Sequence, residues 1–373
     1  MTRTIPSLED YATSRAAFLA SAERHGATLE HHVHPRPGPD SGELATDVAR
    51  IGPPPGEARR VVVVASGTHG VEGHAGSGLQ GLVLDDPRAA ALPQDTAMLL
   101  VHAVNPFGMA WSRRVDHDNV DVNRNFVDFG GPLPASEHYP RIDAILNPAG
   151  DDYDLDDASW LDELLVFAGE VGMAEAFQAV SGGQYDHPHG MQFGGIEAGW
   201  SRRTLEAIWA THLRGPELVL NLDVHTGLGP NGQLTLFQTA DADEPAAHIA
   251  ARWFPAVLRA DRTTDGAELQ HGVLGPGLDA VVGEATTSVP IVVEFGTLDE
   301  LVVLGAMRAD NWLHHHGDPA SELGQTIRAR TRDAFFIEDA AWRERVAEDG
   351  MASVHAALDA AEEADPANQV SSL

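Results

Sequence analysis

The stretch VVVVASGTHGVEG, Val61 to Gly73, decides how this chain folds. Four valines followed by Ala-Ser-Gly-Thr predict a strand buried on both faces that stops in a tight turn. In open α/β sheets, sites form outside the carboxyl ends of such strands. The turn presents His69 and Glu72. Their H-x-x-E spacing sets an imidazole and a carboxylate on one side, because residues three apart are neighbours on a helical turn. Such a pair can share a metal ion.

Outward from this strand, apolar runs and helical periods alternate. Further strands are predicted at Leu44 to Ile51, Ala97 to Val104, Glu217 to Val224, Leu234 to Thr239 and Ile291 to Phe295. His31, His32 and His34 fall in a surface strand before a Pro-rich loop. Helices are predicted from Ser7 to Arg24 behind a Ser-x-x-Asp cap, over 161–180, from Trp200 to Leu213, and over 299–313, 321–335 and 339–364. This alternation reads as one α/β domain spanning residues 1–373, with a probable insertion at 130–160 and a flexible tail at 365–373. GSGLQG, residues 76–81, matches a dinucleotide fingerprint by letter, but it begins ten residues beyond its strand and inside a helix, so helix packing explains its glycines better. Two segments are dense in polar residues, 105–126 and the glycine- and histidine-rich 182–195. Long polar loops in a compact domain usually carry function.

Composition excludes several classes. Twenty-four Lys and Arg against 56 Asp and Glu give a net charge of −32, which repels phosphate backbones and anionic membranes. Neither nucleic acid nor a membrane is an expected partner. There are no cysteines, so thiol nucleophiles, disulfides and Cys-ligated metal are ruled out. Any metal must be held by His, Asp or Glu. The first 26 residues carry no continuous apolar core, which predicts a soluble, cytoplasmic protein. A homo-oligomer is left open.

The candidate chemistry lies at strand ends. LDVHTG puts Asp223 and His225 on one face of its strand by the period of two, and VPIVVEFGT carries Glu294 at the end of an apolar strand, where burial is costly without a partner or a task. His69, Glu72 and His225 make a two-histidine, one-carboxylate set. A close pair plus one distant ligand suits a catalytic zinc ion, whose fourth position stays open. Each residue singly also has an ordinary structural reading. His314, His315 and His316 cannot all face one ion and are read as a helix end.

THGVEGHAGS, VDVNRNF, LDVHTG and VVEFGT, in that order, resemble the zinc metallocarboxypeptidase superfamily, whose relatives include aspartoacylases and succinylglutamate desuccinylases. GQYDHPHGMQFGG and NWLHHHGD resemble its uncharacterised bacterial branch, and the similarity spans roughly residues 60 to 315. The resemblance implies a mixed, mostly parallel eight-stranded sheet flanked by helices, the zinc carboxypeptidase-like or phosphorylase/hydrolase-like fold. It implies one Zn2+ ion held by His69, Glu72 and His225 at the carboxyl ends of central strands. Asn123 and Arg124 match a pair that grips a substrate carboxylate, and Arg114 an arginine that polarises the scissile carbonyl, a part adjacent Arg113 could also take. Glu294 matches the general base, and Asp121 a carboxylate that orients the first ligand histidine.

Elementary chemistry fits these assignments. Zinc-activated water still needs a base, and a desolvated Glu294 has raised proton affinity. Arg114 is always charged and suits an oxyanion, while the planar fork of Arg124 suits a carboxylate. The pattern departs from digestive carboxypeptidases in one respect. Of the four tyrosines, Tyr11, Tyr139, Tyr153 and Tyr185, none lies between 225 and 294, where those enzymes carry a closing tyrosine. The expected activity is therefore hydrolysis of an amide in a small molecule or short peptide bearing a free carboxylate. N-acyl amino acid deacylation is the alternative, and a catalytically silent binding protein is the non-enzyme rival.

Overall fold

The apolar runs become strands β1 (Thr28–Val33), β2 (Ala45–Ile51), β3 (Arg60–Ser66), β4 (Thr96–His102), β5 (Leu218–Gly227), β6 (Leu234–Gln238), β7 (Leu258–Arg259) and β8 (Thr287–Gly296) in a computed structural model. It describes residues 3–241, 243–254, 256–259 and 270–363. The expected flexible tail at 365–373 lies outside the described residues. The eight strands form one sheet in the order β1-β2-β4-β3-β5-β8-β6-β7. The β3–β4, β3–β5, β5–β8 and β6–β7 pairs are parallel, and β1–β2, β2–β4 and β6–β8 antiparallel. The sheet is mixed and mostly parallel, as the resemblance implies.

The chain's helices are α1 (Tyr11–Arg24), α2 (Gly73–Leu84), α3 (Pro106–Trp111), α4 (Tyr139–Leu146), α5 (Ser159–Val171), α6 (Met173–Ser181), α7 (Trp200–His212), α8 (Pro245–Trp253), α9 (Leu274–Val282), α10 (Glu300–His315), α11 (Glu322–Phe335) and α12 (Ala340–Glu363). Alternate residues of the central strands enter different cores, which is why those strands read as unbroken apolar runs. On one face Val62, Val64, Leu220, Leu222, Ile291 and Val293 pack against α2, α8 and α12. On the other, Val61, Val63, Ala65 and Val219 meet Leu205, Ile208 and Trp209 of α7 and Leu274 and Leu278 of α9. None of the described helices is long and apolar enough to cross a membrane.

Several boundaries differ from the sequence expectation. The first helix begins at Tyr11, capped by Asp10, whose carboxylate accepts from the Thr13 amide at 2.7 Å. Ser7 instead donates to Glu338. The polar stretch 105–126 is not one loop: Asn105 accepts from the Gly108 amide at 2.9 Å and starts α3. The helix expected over 161–180 breaks at Gly172, at φ +103°. Two of the GSGLQG glycines, Gly76 and Gly78, do serve packing. A Cβ on Gly76 would stand 2.5 Å from Ser66 Cβ, so α2 lies on β3 only because that position is bare.

Candidate metal centre

Strand β3 ends at Ser66, Gly67 turns the chain at φ +70°, and His69 and Glu72 enter a single helical turn at Gly70–Glu72. Strand β5, the parallel neighbour of β3, carries His225 near its own carboxyl end. The three side chains converge. His69 Nδ1 stands 2.9 Å from Glu72 Oε1, His225 Nδ1 2.9 Å from Glu72 Oε2, and the two Nδ1 atoms are 3.2 Å apart. One ligand atom from each lies within 4.8 Å of the others, and all three residues are buried. Among the described residues this is the trio of His and acidic side chains that could share an ion.

The outer nitrogens show what the inner ones can do. His69 Nε2 meets Asp121 Oδ1 at 3.1 Å, and His225 Nε2 meets Asp223 Oδ2 at 2.8 Å. A carboxylate accepts the Nε2–H, so the neutral tautomer leaves a lone pair on each Nδ1 facing inward. Two lone pairs and a carboxylate then face one another among buried side chains, an arrangement that needs protons or a cation at its centre. Around tetrahedral zinc with bonds of 2.0–2.1 Å, ligand atoms stand about 3.3 Å apart, close to the spacings found. The donor set fits a divalent ion.

The charges of the trio and its neighbours hold one another in place. Burial alone would raise the Glu72 carboxyl, but His69 and His225 outweigh it and hold the group well below its ordinary range. Burial disfavours the His225 cation, yet Asp223 and Glu72 more than offset this and raise it well above 6.5. Asp121 is held far down by Arg114, His69 and Arg124 against its own burial.

Glu294 sits opposite His225 in the β5–β8 register. It is 9 % exposed, and its Oε1 accepts from the Leu228 amide at 3.0 Å. Burial, followed by the nearby Glu72 charge, pushes its carboxyl up to about 7. The two arginines at 113 and 114 separate cleanly. Arg113 is buried against Asp310 and Asn119, away from the trio. Arg114 binds Asp121, bonds Gln192 Oε1 at 3.2 Å and brings its Nε to 3.8 Å from Glu72. Asn123 Oδ1 holds the Leu274 amide at 2.9 Å. Arg124 is buried, with its N–H groups donated to the carbonyls of Ser181 and Asn123. The glycine- and histidine-rich loop supports this wall: the Tyr185 hydroxyl donates to Arg124 O at 2.7 Å, and His189 stacks on His315.

Some partners were not visible in the sequence. Asp223 is the exception, set on one face with His225 by the strand period: it holds His225 and accepts from Thr68 Oγ1 at 2.8 Å. Gln192, at φ +60°, supports Arg114, and nothing in its residue type marks it for that. The Leu228 and Thr226 amides touch Glu294 and Glu72, and a backbone donor leaves no sequence signal.

A mixed eight-stranded α/β sheet carrying a buried His-Glu-His trio at the ends of parallel strands is the class that the fold and site define. Residues 8–349 match the family described as "Protein of unknown function (DUF2817)", and the chain belongs to that family. No curated protein matches the sequence. Solved structures to which the fold is similar include carboxypeptidase A from Helicoverpa armigera, at 12% identity, TM-score 0.47, 88% of this chain and 74% of that one. A metallo-carboxypeptidase from Pseudomonas aeruginosa matches at 13% identity and TM-score 0.39, over 91% and 68% of the two chains. An aspartoacylase family protein from Mesorhizobium loti matches at 16% identity and TM-score 0.35, over 78% and 67%.

Proposed function

We propose that this chain is a zinc-dependent hydrolase that cleaves an amide bond in a small molecule or short peptide bearing a free carboxylate, with Glu294 as general base. The observation that carries the reading is the pairing of Glu294 with His225 across neighbouring strands, beside a metal-fitting trio. A metal store or structural zinc site requires no second, unliganded carboxylate of high proton affinity there.

His69, Glu72 and His225 would hold a zinc ion, which when bound would lower the proton affinity of a water and polarise a carbonyl. Glu294 takes the proton from the attacking water and returns it to the leaving nitrogen, a task suited to a carboxyl whose proton affinity lies near neutrality. Arg114, fixed by Asp121 and Gln192, offers its remaining donors to the oxyanion that forms on the former carbonyl oxygen. Asn123 and Arg124 orient the substrate carboxylate. Because the Ser181 and Asn123 carbonyls take the Arg124 N–H groups, a two-pronged grip requires the guanidinium to exchange those partners.

N-acyl amino acid deacylation is the second reading. It is favoured by the tyrosines, since none lies between His225 and Glu294 and Tyr185 is buried on a backbone carbonyl. Free-acid peptides, their C-terminally amidated forms and N-acyl amino acids, assayed side by side, separate the two. Activity should vanish on chelation and return with zinc. If zinc-loaded Glu294→Gln hydrolyses the identified substrate as fast as wild type, the base assignment is wrong. A chain that binds these ligands and never turns them over is the silent binding protein.

A further inference from the structure

Beside the trio lies a cavity of about 40 Å³ that the reading above leaves without a task. Its lining includes Asn123, Asn221, Asp223, Leu274, Pro290 and Val292. Two of these tie it to the metal centre: Asp223 holds His225, and Asn123 is half of the proposed carboxylate grip. Two lining side chains keep unpaired polar atoms, Gln238 at its Oε1 and, at both atoms of its amide, Asn221. It lies on β5 two and four residues before Asp223 and His225, so the period of two sets all three on one face. Its side chain is 1 % exposed, and neither its Oδ1 nor its Nδ2 has a hydrogen-bond partner.

The surroundings explain why that amide stays unpaired within the chain. Its cross-strand neighbours are Val63 on β3 and Pro290 on β8, and neither side chain can donate or accept. A buried amide left so is costly, and an apolar residue would fill this strand position without that cost. The amide therefore points to something that enters the cavity. Charge narrows what that is. No arginine or lysine lines the space among the described residues, so an anionic group meets no counter-charge. Among the described lining residues the one acid is Asp223, whose oxygens are committed to Thr68 and His225, so a cationic group finds no free carboxylate among them.

We propose that this cavity receives the side chain of the carboxylate-bearing substrate residue, and that Asn221 selects a neutral hydrogen-bonding group there, a primary amide above all. An asparagine- or glutamine-type side chain offers one donor and one acceptor, the complement of the free Oδ1 and Nδ2 of Asn221. The inference rests on the proposed function for the carboxylate that anchors the ligand at Asn123 and Arg124.

Direct binding tests it without turnover. The full chain carrying Glu294→Gln is dialysed against zinc and titrated by calorimetry with N-acetyl-asparagine, N-acetyl-glutamine, N-acetyl-leucine and N-acetyl-aspartate. The expected result is roughly tenfold or tighter binding of an amide ligand over the leucine and aspartate ligands, the scale of one buried polar group left unpaired. A further Asn221→Leu change should abolish or reverse that preference while leaving the melting temperature equal or higher. Equal binding of all four ligands, or preference for N-acetyl-aspartate or N-acetyl-leucine, overturns the selection by Asn221 while leaving the hydrolase reading in place. An unchanged amide preference in Asn221→Leu, or a marked loss of stability in it, shows that Asn221 holds structural water instead and overturns the inference too. Binding of none of the four overturns the carboxylate grip and the inference together. Should Asn221→Leu fail to fold, the wild-type residue's ligand ranking alone decides.

Discussion

At the level of single residues, the centre depends on what stands behind each ligand as much as on the ligands. Asp121 and Asp223 accept the outer N–H groups of His69 and His225 and so turn both Nδ1 lone pairs inward. Asp223→Asn can present either an amide or a carbonyl to His225 and loses the fixed negative charge. Zinc affinity should fall by roughly 10–100-fold, measured by competition with a chromophoric chelator, with the helical circular dichroism unchanged. Glu294 gives a second prediction. Its carboxyl stands at about 7 against an ordinary 4.5, through burial and then the Glu72 charge. A cation on Glu72 offsets the second cause, so the acid limb of kcat/KM should fall between those two values, activity rising with pH as the base loses its proton. Zinc-loaded Glu294→Gln should lose at least about 100-fold in kcat. The proposed ligands and base stood out as candidates because each closes an apolar strand or its turn with a group that burial penalises. Arg113 and Arg114 were indistinguishable in sequence, since only the fold turns one to Asp310 and the other to Asp121. Gln192 was invisible because its contribution is one amide oxygen presented by an unusual backbone angle.

Among the secondary-structure elements, α2 does most to place the site, because it runs on from the Glu72 turn and packs on β3 and β5. Its glycines are not equivalent. A Cβ on Gly76 would meet Ser66 Cβ at 2.5 Å and Val224 Cβ at 3.5 Å, whereas a Cβ on Gly81 would meet nothing within 4 Å. Gly76→Ala should cost about 1–3 kcal/mol by overpacking and weaken zinc binding, since Val224 adjoins His225. Gly81→Ala should stabilise by roughly 0.5–1 kcal/mol with zinc affinity intact. Thermal melts with and without zinc distinguish the two. The long apolar strands at 61–65 and 291–295 were legible because burial on both faces leaves a continuous signature. Strand β7, two residues long, is too short to show a period. α9 was missed for a different reason: its Gly-Pro-Gly start imitates a turn.

Across the whole molecule, buried histidines lower stability at acid pH. His74 and His102 lie at the junction of α1, α2 and β4, paired with Ser14 and Ser77 and packed near Phe336 and Phe18. Burial is the main cause that pushes His74 down to about 3 and His102 to about 4. Between those values and the ordinary 6.5, the unfolded chain binds the extra protons, so stability falls as pH drops from about 6.5 towards 4. The slope is up to about 1.4 kcal/mol per pH unit for each imidazole. His74→Gln should shallow it by about one proton's worth, read from denaturant midpoints between pH 7 and 4.5. The net charge of −32 says nothing about substrate, because charge alone selects no particular ligand.

The most direct test of the central claim is calorimetric titration of zinc into the metal-stripped chain and into His225→Ala. Wild type should bind one ion per chain and the variant should lose at least about 100-fold in affinity, because His225 lies 156 residues from His69 and reaches the site only through the β3–β5 pairing. A chain that takes up no zinc, or a variant that binds it as tightly as wild type, would contradict the account.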